Sequence, residues 1–82
     1  MHLNGIKVYA SELKAAKSII EVDFTEPCAL VIGSEEKGIY PALLKACDEK
    51  IKIPMKGDFE SLNVSVASGI ILFEVMKQRQ SL

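Results

Sequence analysis

Three short stretches of the chain carry the apolar pattern of β-strands. Apolar residues alternate with polar ones over Ile6–Tyr9, which predicts a strand. The run Cys28–Ile32 is continuously apolar and is closed by Gly33, a pattern typical of a strand buried on both faces of a parallel sheet. A third strand is predicted over Ile51–Ile53, and Pro54 ends it because proline cannot donate to a ladder.

Helical patterns follow these strands. Ser11 can cap a first helix that extends to about Ile20. Pro41 suits the first turn of a second helix that ends between Cys47 and Glu49. A third helix follows the last strand, and the connections are short. The order β-α-β-α-β-α predicts an α/β fold with a parallel sheet and flanking helices.

The last helix, predicted over Ser61 to about Gln78, has apolar residues on every side. They are Val64, Val66, Ala67, Ile70, Ile71, Phe73, Val75 and Met76. A helix without a polar face is buried on more than one side. We expect one side to pack on the sheet and the other to meet a second copy of the chain, where Ser65, Ser68 and Gly69 allow close approach.

Composition predicts one small domain over residues 1–82 that needs a partner surface. Hydrophobic residues make up 49% of the 82, and aromatic residues only 6%, so the core is aliphatic. So short a chain cannot bury all of that apolar surface, so we expect a homo-oligomer, a missing part of a longer chain, or both. The net charge of −1 excludes the basic footprint of a self-sufficient nucleic-acid binder.

Cysteine and histidine usage predicts a cytoplasmic protein without a metal. Cys28 and Cys47 lie in apolar contexts without CxxC spacing, which favours buried free thiols over a disulfide. His2 is the only histidine, so no metal-ligand spacing can be assembled. No apolar run reaches about 18 residues and no signal-peptide pattern is present, so we expect a cytoplasmic location and no membrane partner.

Two polar loops follow strands, where parallel sheets place their ligands. The first runs from Gly33 to Gly38 and is not a Walker phosphate loop, because Gly38 is followed by Ile39 and Tyr40 instead of Lys and Ser or Thr. The second ends in Ser61–Asn63, which alone is also a plain helix N-cap. The residues themselves predict a parallel α/β module with a small-molecule site framed by two loops.

Two stretches resemble motifs of a known family. Leu30–Ile39, reading LVIGSEEKGI, is similar to the second motif of the SpoU (TrmH) family of RNA 2′-O-methyltransferases. Ile53–Gly57 and Glu60–Ile70, reading IPMKG and ESLNVSVASGI, are similar to the third. The resemblance implies the carboxyl-terminal portion of a SPOUT-type trefoil-knot methyltransferase fold, with S-adenosyl-L-methionine bound among the knot loops of a homodimer.

The resemblance also implies a set of cofactor-binding residues. By position, Gly33, Ile53 and Leu62 contact the cofactor, chiefly through backbone groups. Met55 and Ser61 line the same pocket.

Two further residues are implied candidates for catalysis. Asn63 lies in the same pocket, and Glu35 is placed at the edge between cofactor and RNA. Glu36 stands where many relatives carry glycine, which is a departure from the family's pattern in this loop.

The implied activity is methyl transfer to a ribose 2′-hydroxyl of tRNA or rRNA. The family's first motif contributes an Asn and an Arg that assists the 2′-hydroxyl, and the sequence has no counterpart: Arg79 is the sole arginine and matches no motif position. We therefore expect the 82 residues alone to lack catalysis. Two alternatives stay open: a non-catalytic small-molecule-binding or dimerisation module, and a flavodoxin-like nucleotide binder.

Overall fold

The structure, a computed structural model, describes residues 2–3, 5–12, 14–33, 38–54 and 64–80. Within these ranges it contains five strands, two α-helices and one 3-10 turn. The strands are β1 (His2–Leu3), β2 (Ile6–Ser11), β3 (Lys17–Ser18), β4 (Cys28–Ile32) and β5 (Glu49–Lys52). The helices are α1 (Pro41–Ala46) and α2 (Val64–Arg79), and the 3-10 turn covers Ile19–Glu21.

The strands form one sheet centred on β2. The same residues of β2 pair in parallel with β4 on one side and with β5 on the other, for example Tyr9 with both Leu30 and Glu49. β3 continues the sheet beyond β5 in parallel, and β1 pairs antiparallel with the start of β2. The predicted parallel α/β sheet is therefore confirmed. β1 is an addition that the polar sequence of the amino terminus did not predict.

The core lies under β2 and β5. Its fully or nearly buried side chains are Tyr9, Ile19, Val22, Phe24, Ile51 and Ile71. The rings of Tyr9 and Phe24 pack edge to face with their centroids 5.4 Å apart, a preferred geometry for aromatic pairs. Because Ile71 belongs to α2, this cluster attaches the last helix to the sheet.

The prediction of a helix from Ser11 to Ile20 is wrong. Ser11 ends β2, and the amide of Glu12 donates to the carbonyl of Ile51 at 2.8 Å, which extends the ladder with β5. Ser18 caps instead: its hydroxyl accepts from Ile20, while the Glu21 carboxylate accepts from the Ser18 amide. Pairing with β5 therefore outweighs the modest helix preference of this segment.

The prediction for β4 is right in its bounds and wrong in its burial. Cys28–Ile32 is the strand, but four of its residues are half-buried and Ala29 is exposed. The reason is its place at the edge of the sheet, since β2 is its only strand neighbour in the part of the chain that the structure describes. Cys28 and Cys47 are both free thiols, as predicted, although they are half-buried instead of buried.

The helix that begins at Pro41 is shorter than predicted. It ends at Ala46 because Asp48 turns back to β2. The Asp48 amide donates to the Val8 carbonyl at 2.8 Å, and the Val8 amide donates to an Asp48 carboxylate oxygen at 2.7 Å. These bonds start β5 two residues before the predicted strand.

Helix α2 buries one side and exposes another. Ala67, Ile71 and Glu74 are buried along one stripe, at the spacing of successive turns of a helix. Large apolar side chains are exposed elsewhere on the helix: Val66, Ile70, Leu72, Phe73 and Met76. Packing of one side is confirmed, whereas contact of the other side with a second copy stays a prediction. The predicted start of this helix, Ser61–Asn63, lies outside the described residues.

The side chains of Gln78 and Arg79 bond the end of α2 to the segment that leads into β4, and Glu74 bonds Gln78. These three residues are here termed the α2 clasp. The Gln78 side chain accepts from the Phe24 amide at 2.7 Å and donates to the Val22 carbonyl at 2.9 Å. It also donates to Glu74 at 2.9 Å. Arg79 donates to the Phe24 carbonyl at 2.9 Å. The clasp thus fixes the approach to β4, and β4 ends at the first candidate loop.

None of the helices in the described ranges is long and apolar enough to cross a membrane.

Candidate functional site

The carboxyl ends of β4, β2 and β5 meet at one edge of the sheet. Gly33 directly follows β4, and Ile53 directly follows β5. Both strands run parallel to β2 on either side of it. Two strand spacings therefore separate Gly33 from Ile53, on the order of 10 Å. The structure thus brings these two predicted cofactor-binding residues to the same edge, where parallel sheets bind ligands.

Gly33 has no room for a side chain. A Cβ built on it would lie 2.5 Å from the Gly38 carbonyl oxygen and 2.6 Å from the Ile39 amide nitrogen. Both neighbours are backbone atoms, so a larger residue must displace the chain itself. Gly38 has φ +67°, a left-handed conformation that glycine adopts without strain. Gly38 and Ile39 therefore lie against the end of β4, in an arrangement that depends on both glycines.

A hollow of about 290 Å³, here termed the Tyr40 hollow, opens beside Gly33 and Gly38. Its lining residues are Val31, Ile32, Gly33, Gly38, Ile39, Tyr40 and Leu43. None of these carries a charge, and Tyr40 is 74% exposed. The hollow joins the end of β4 to the start of α1, and the described part of its lining suits a largely apolar group.

Ile53 is tied to the core on the other side of the edge. Its half-buried side chain packs against the cluster that contains Ile51 and Ile71. It does not belong to the Tyr40 hollow. Contacts to a ligand at Ile53 would therefore come from backbone groups at the end of β5.

The remaining predicted site residues lie outside the described residues. They are Glu35, Met55, Ser61, Leu62 and Asn63. Their predicted roles stay predictions.

Charged side chains gather at the opposite end of the sheet. The carboxylate of Glu49 lies 3.3 Å from the Lys7 ammonium and 3.6 Å from that of Lys17. Its Oε2 atom is buried with Lys7 as its charged partner. The neighbouring Glu49 carboxylate raises the pKa of Lys7. This cluster begins the strands, so it is structural and distant from the loops that end them.

Sequence reasoning missed the contribution of Tyr40 and of Arg79. Tyr40 was noted only because it rules out a Walker loop, and the pattern of this segment does not show that it borders a hollow. Arg79 was placed in a polar tail, whereas its guanidinium binds the carbonyls of Phe24 and Glu26 at 2.9 and 3.0 Å. The signal for Arg79 was present in its helical spacing, because it lies four residues after Val75, which packs against the core.

Comparisons with known proteins agree with this geometry. Residues 1–73 match the sequence model described as the SpoU rRNA Methylase family. The chain is 47% identical over 77 residues to a tRNA (guanosine(18)-2′-O)-methyltransferase of Aquifex aeolicus, which covers 93% of this chain and 36% of that protein. It is 44% identical over 75 residues to a 23S rRNA (guanosine-2′-O-)-methyltransferase of Ralstonia nicotianae, with coverage of 92% and 30%.

A comparison with a solved structure also shows similarity to the SpoU family. The SpoU methyltransferase AviRb from Streptomyces viridochromogenes, in complex with the cofactor AdoMet, matches with a TM-score of 0.88 and 35% identity. The match covers 94% of this chain and 30% of AviRb. The chain therefore spans about a third of the length of the relatives that it matches.

Proposed function

We propose that this chain, which belongs to the SpoU rRNA methylase family, carries the cofactor-binding half of an S-adenosylmethionine-dependent RNA 2′-O-methyltransferase. Residues 1–82 then form the carboxyl-terminal portion of the knotted catalytic domain. The observation that carries the proposal is the close approach at Gly33, where backbone atoms of Gly38 and Ile39 lie directly against the end of β4. A glycine in this position allows a ligand to reach backbone N–H and C=O groups directly.

The residues at this edge fit S-adenosylmethionine. Gly33 and Ile53 end two strands that flank β2, so their backbone groups can hold one ligand across the end of β2. When bound, the cofactor supplies an electrophilic methyl group on its sulfonium. The contribution of Gly33 and Ile53 is orientation, which accounts for a large share of the barrier reduction in displacement reactions.

Five further residues complete the proposed site by resemblance to the family. Met55, Ser61 and Leu62 line the cofactor pocket. Asn63 lies in the same pocket as a candidate for catalysis. Glu35 lies at the edge between cofactor and RNA, where it holds the RNA or positions a group that accepts the 2′-hydroxyl proton.

The proposed substrates are tRNA or rRNA, the proposed assembly is a knotted homodimer, and the proposed location is the cytoplasm. The support for the homodimer is the exposed apolar side of α2, where Val66, Ile70 and Phe73 are 50%, 38% and 62% exposed. These residues are spaced three and four apart, so they share one face. An apolar face of this kind marks an interface in a soluble domain.

We expect the 82 residues by themselves to bind the cofactor without catalysing methyl transfer. The Asn and Arg of the family's first motif are missing from the sequence, and the only arginine, Arg79, is engaged in the α2 clasp. Incubation with labelled S-adenosylmethionine and bulk tRNA or rRNA measures this. Sustained turnover by the 82-residue chain would contradict it.

Isothermal titration calorimetry with S-adenosylhomocysteine, S-adenosylmethionine and ATP tests the cofactor proposal. We expect binding of the first two and no competition by ATP. Gly33→Ala should abolish this binding, because the new Cβ displaces the backbone at Gly38 and Ile39. Gly69→Ala is the matched control, since a Cβ there meets nothing within 4 Å. A preference for ATP, or full binding by Gly33→Ala, refutes the proposed site.

A further inference from the structure

The Tyr40 hollow is a site that the cofactor-binding residues do not account for. It shares Gly33 with the proposed cofactor site but is bounded by α1 instead of β5, and Ile53 is not among its lining residues. Its described lining contains only apolar side chains, two glycines and Tyr40. The described part of the lining therefore offers apolar walls and one aromatic ring to a ligand.

Tyr40 is held at the mouth of this hollow by its backbone. Its carbonyl accepts the first hydrogen bond of α1, from the Leu44 amide at 2.9 Å. Pro41 fixes the next residue at the first position of the helix. The side chain nevertheless remains 74% exposed. A large aromatic ring is therefore presented to solvent from a rigid backbone position, beside a recess with room for a flat ring.

These features favour a flat heteroaromatic ring as the occupant. The exposed ring of Tyr40 provides a stacking surface, and the half-buried Ile39 and the less exposed Leu43 provide apolar walls. The backbone around Gly33 and Gly38 can supply hydrogen bonds to the ring's polar edge. Stacking on aromatic side chains with hydrogen bonds to base edges is how proteins recognise unpaired bases in RNA.

A heteroaromatic ring at this site has two sources, the adenine of the cofactor or a base of the RNA. The cofactor proposal uses the edge between Gly33 and Ile53, across the end of β2. The Tyr40 hollow extends from Gly33 in the direction of α1, so it adjoins that site without including Ile53. This arrangement favours the RNA base, which must lie next to the cofactor for its ribose to react.

We propose that the Tyr40 hollow binds one unpaired base of a single-stranded RNA segment, stacked on Tyr40, next to the cofactor site at Gly33. This assignment rests on the proposed function and adds a substrate contact to it. It also agrees with the net charge of −1, because a stacked base contributes affinity without requiring a basic surface.

Fluorescence quenching of a short single-stranded oligoribonucleotide with one 2-aminopurine measures the contact in the 82-residue chain. We expect saturable quenching by the wild type. Tyr40→Ala should weaken the affinity about 10- to 100-fold, and Tyr40→Phe should keep it, since the ring and not the hydroxyl stacks. The slope of log affinity against log salt should be the same for all three, because no phosphate contact changes. Ile20→Ala, which removes another exposed apolar side chain, is the control.

The same variants are titrated with S-adenosylhomocysteine to separate the two sources of the ring. The inference predicts unchanged S-adenosylhomocysteine affinity in Tyr40→Ala together with lost quenching. If Tyr40→Ala instead weakens S-adenosylhomocysteine binding and leaves quenching unchanged, the hollow belongs to adenine and the inference fails. No quenching by the wild type also overturns it. Failure of the cofactor proposal gives a different pattern, namely no S-adenosylhomocysteine binding by the wild type.

Discussion

The α2 clasp provides the most direct test of how this chain holds its last helix. Gln78 bonds two backbone groups of residues that are almost wholly buried, since Phe24 is 0% and Val22 is 4% exposed. In Gln78→Ala the Phe24 amide loses the side-chain oxygen that accepts its hydrogen bond, and the Val22 carbonyl loses the side-chain amide that donates to it. Two lost hydrogen bonds, with one buried donor left unsatisfied, cost about 2–4 kcal/mol.

Urea unfolding followed by circular dichroism measures this loss. For a chain of this size, with an m-value of about 1–1.5 kcal/mol/M, the midpoint should fall by about 2 M. Alanine is the best helix former, so the loss cannot arise from helix propensity. Gln80→Ala is the matched control, because Gln80 is exposed in the turn after α2, and it should change stability by less than about 0.5 kcal/mol. If both variants unfold at the same midpoint, the clasp contributes no net stability.

Three further predictions concern other parts of the chain. Phe73→Glu should convert a dimer into a monomer in sedimentation equilibrium, because it places a charge on the exposed side of α2. Ile20→Glu, also at an exposed apolar site, should leave the dimer intact. An unchanged mass in Phe73→Glu contradicts the proposed interface. The pKa of Glu74 is lowered by its hydrogen bonds from Gln78 and Lys77. Its contribution to the free energy of unfolding is therefore complete above the ordinary carboxyl pKa of about 4.3, and it is lost as the pH falls through the lowered pKa. The urea unfolding midpoint of the wild type should decrease as the pH is lowered from about 5, and the midpoint of Glu74→Gln should decrease less. Ser18→Ala should lower the free energy of unfolding by about 1 kcal/mol because it removes a capping hydroxyl, while Ser18→Thr should retain most of it; equal losses in both would show that the cap is dispensable.

The fold was predictable from the sequence where one local pattern dominated. The bounds of β4 follow from an apolar run closed by Gly33, and the start of α1 follows from Pro41. The segment 11–20 failed because its structure depends on β5, which lies about thirty residues later. Helical spacing in such a segment cannot compete with backbone pairing that only the folded sheet provides.

The candidate site was predictable in part. Gly33 and Ile53 were chosen by resemblance, and parallel topology accounts for their meeting at one edge. The burial of β4 was overestimated because an apolar run does not show whether a strand is central or at an edge. Tyr40 was missed because its place beside a hollow is a property of packing between β4 and α1.

The α2 clasp also affects when parts of the chain become ordered. Its bond between Phe24 and Gln78 joins residues 54 positions apart. Closing a loop of that length costs about 3.5 kcal/mol in chain entropy before the bond forms. We expect the clasp to form after β2, β4 and β5 have paired, so it contributes little to the transition state for folding. Interactions that form late mainly slow unfolding. The end of α2, which would fray in an isolated helix, thereby becomes a determinant of how long the folded chain persists.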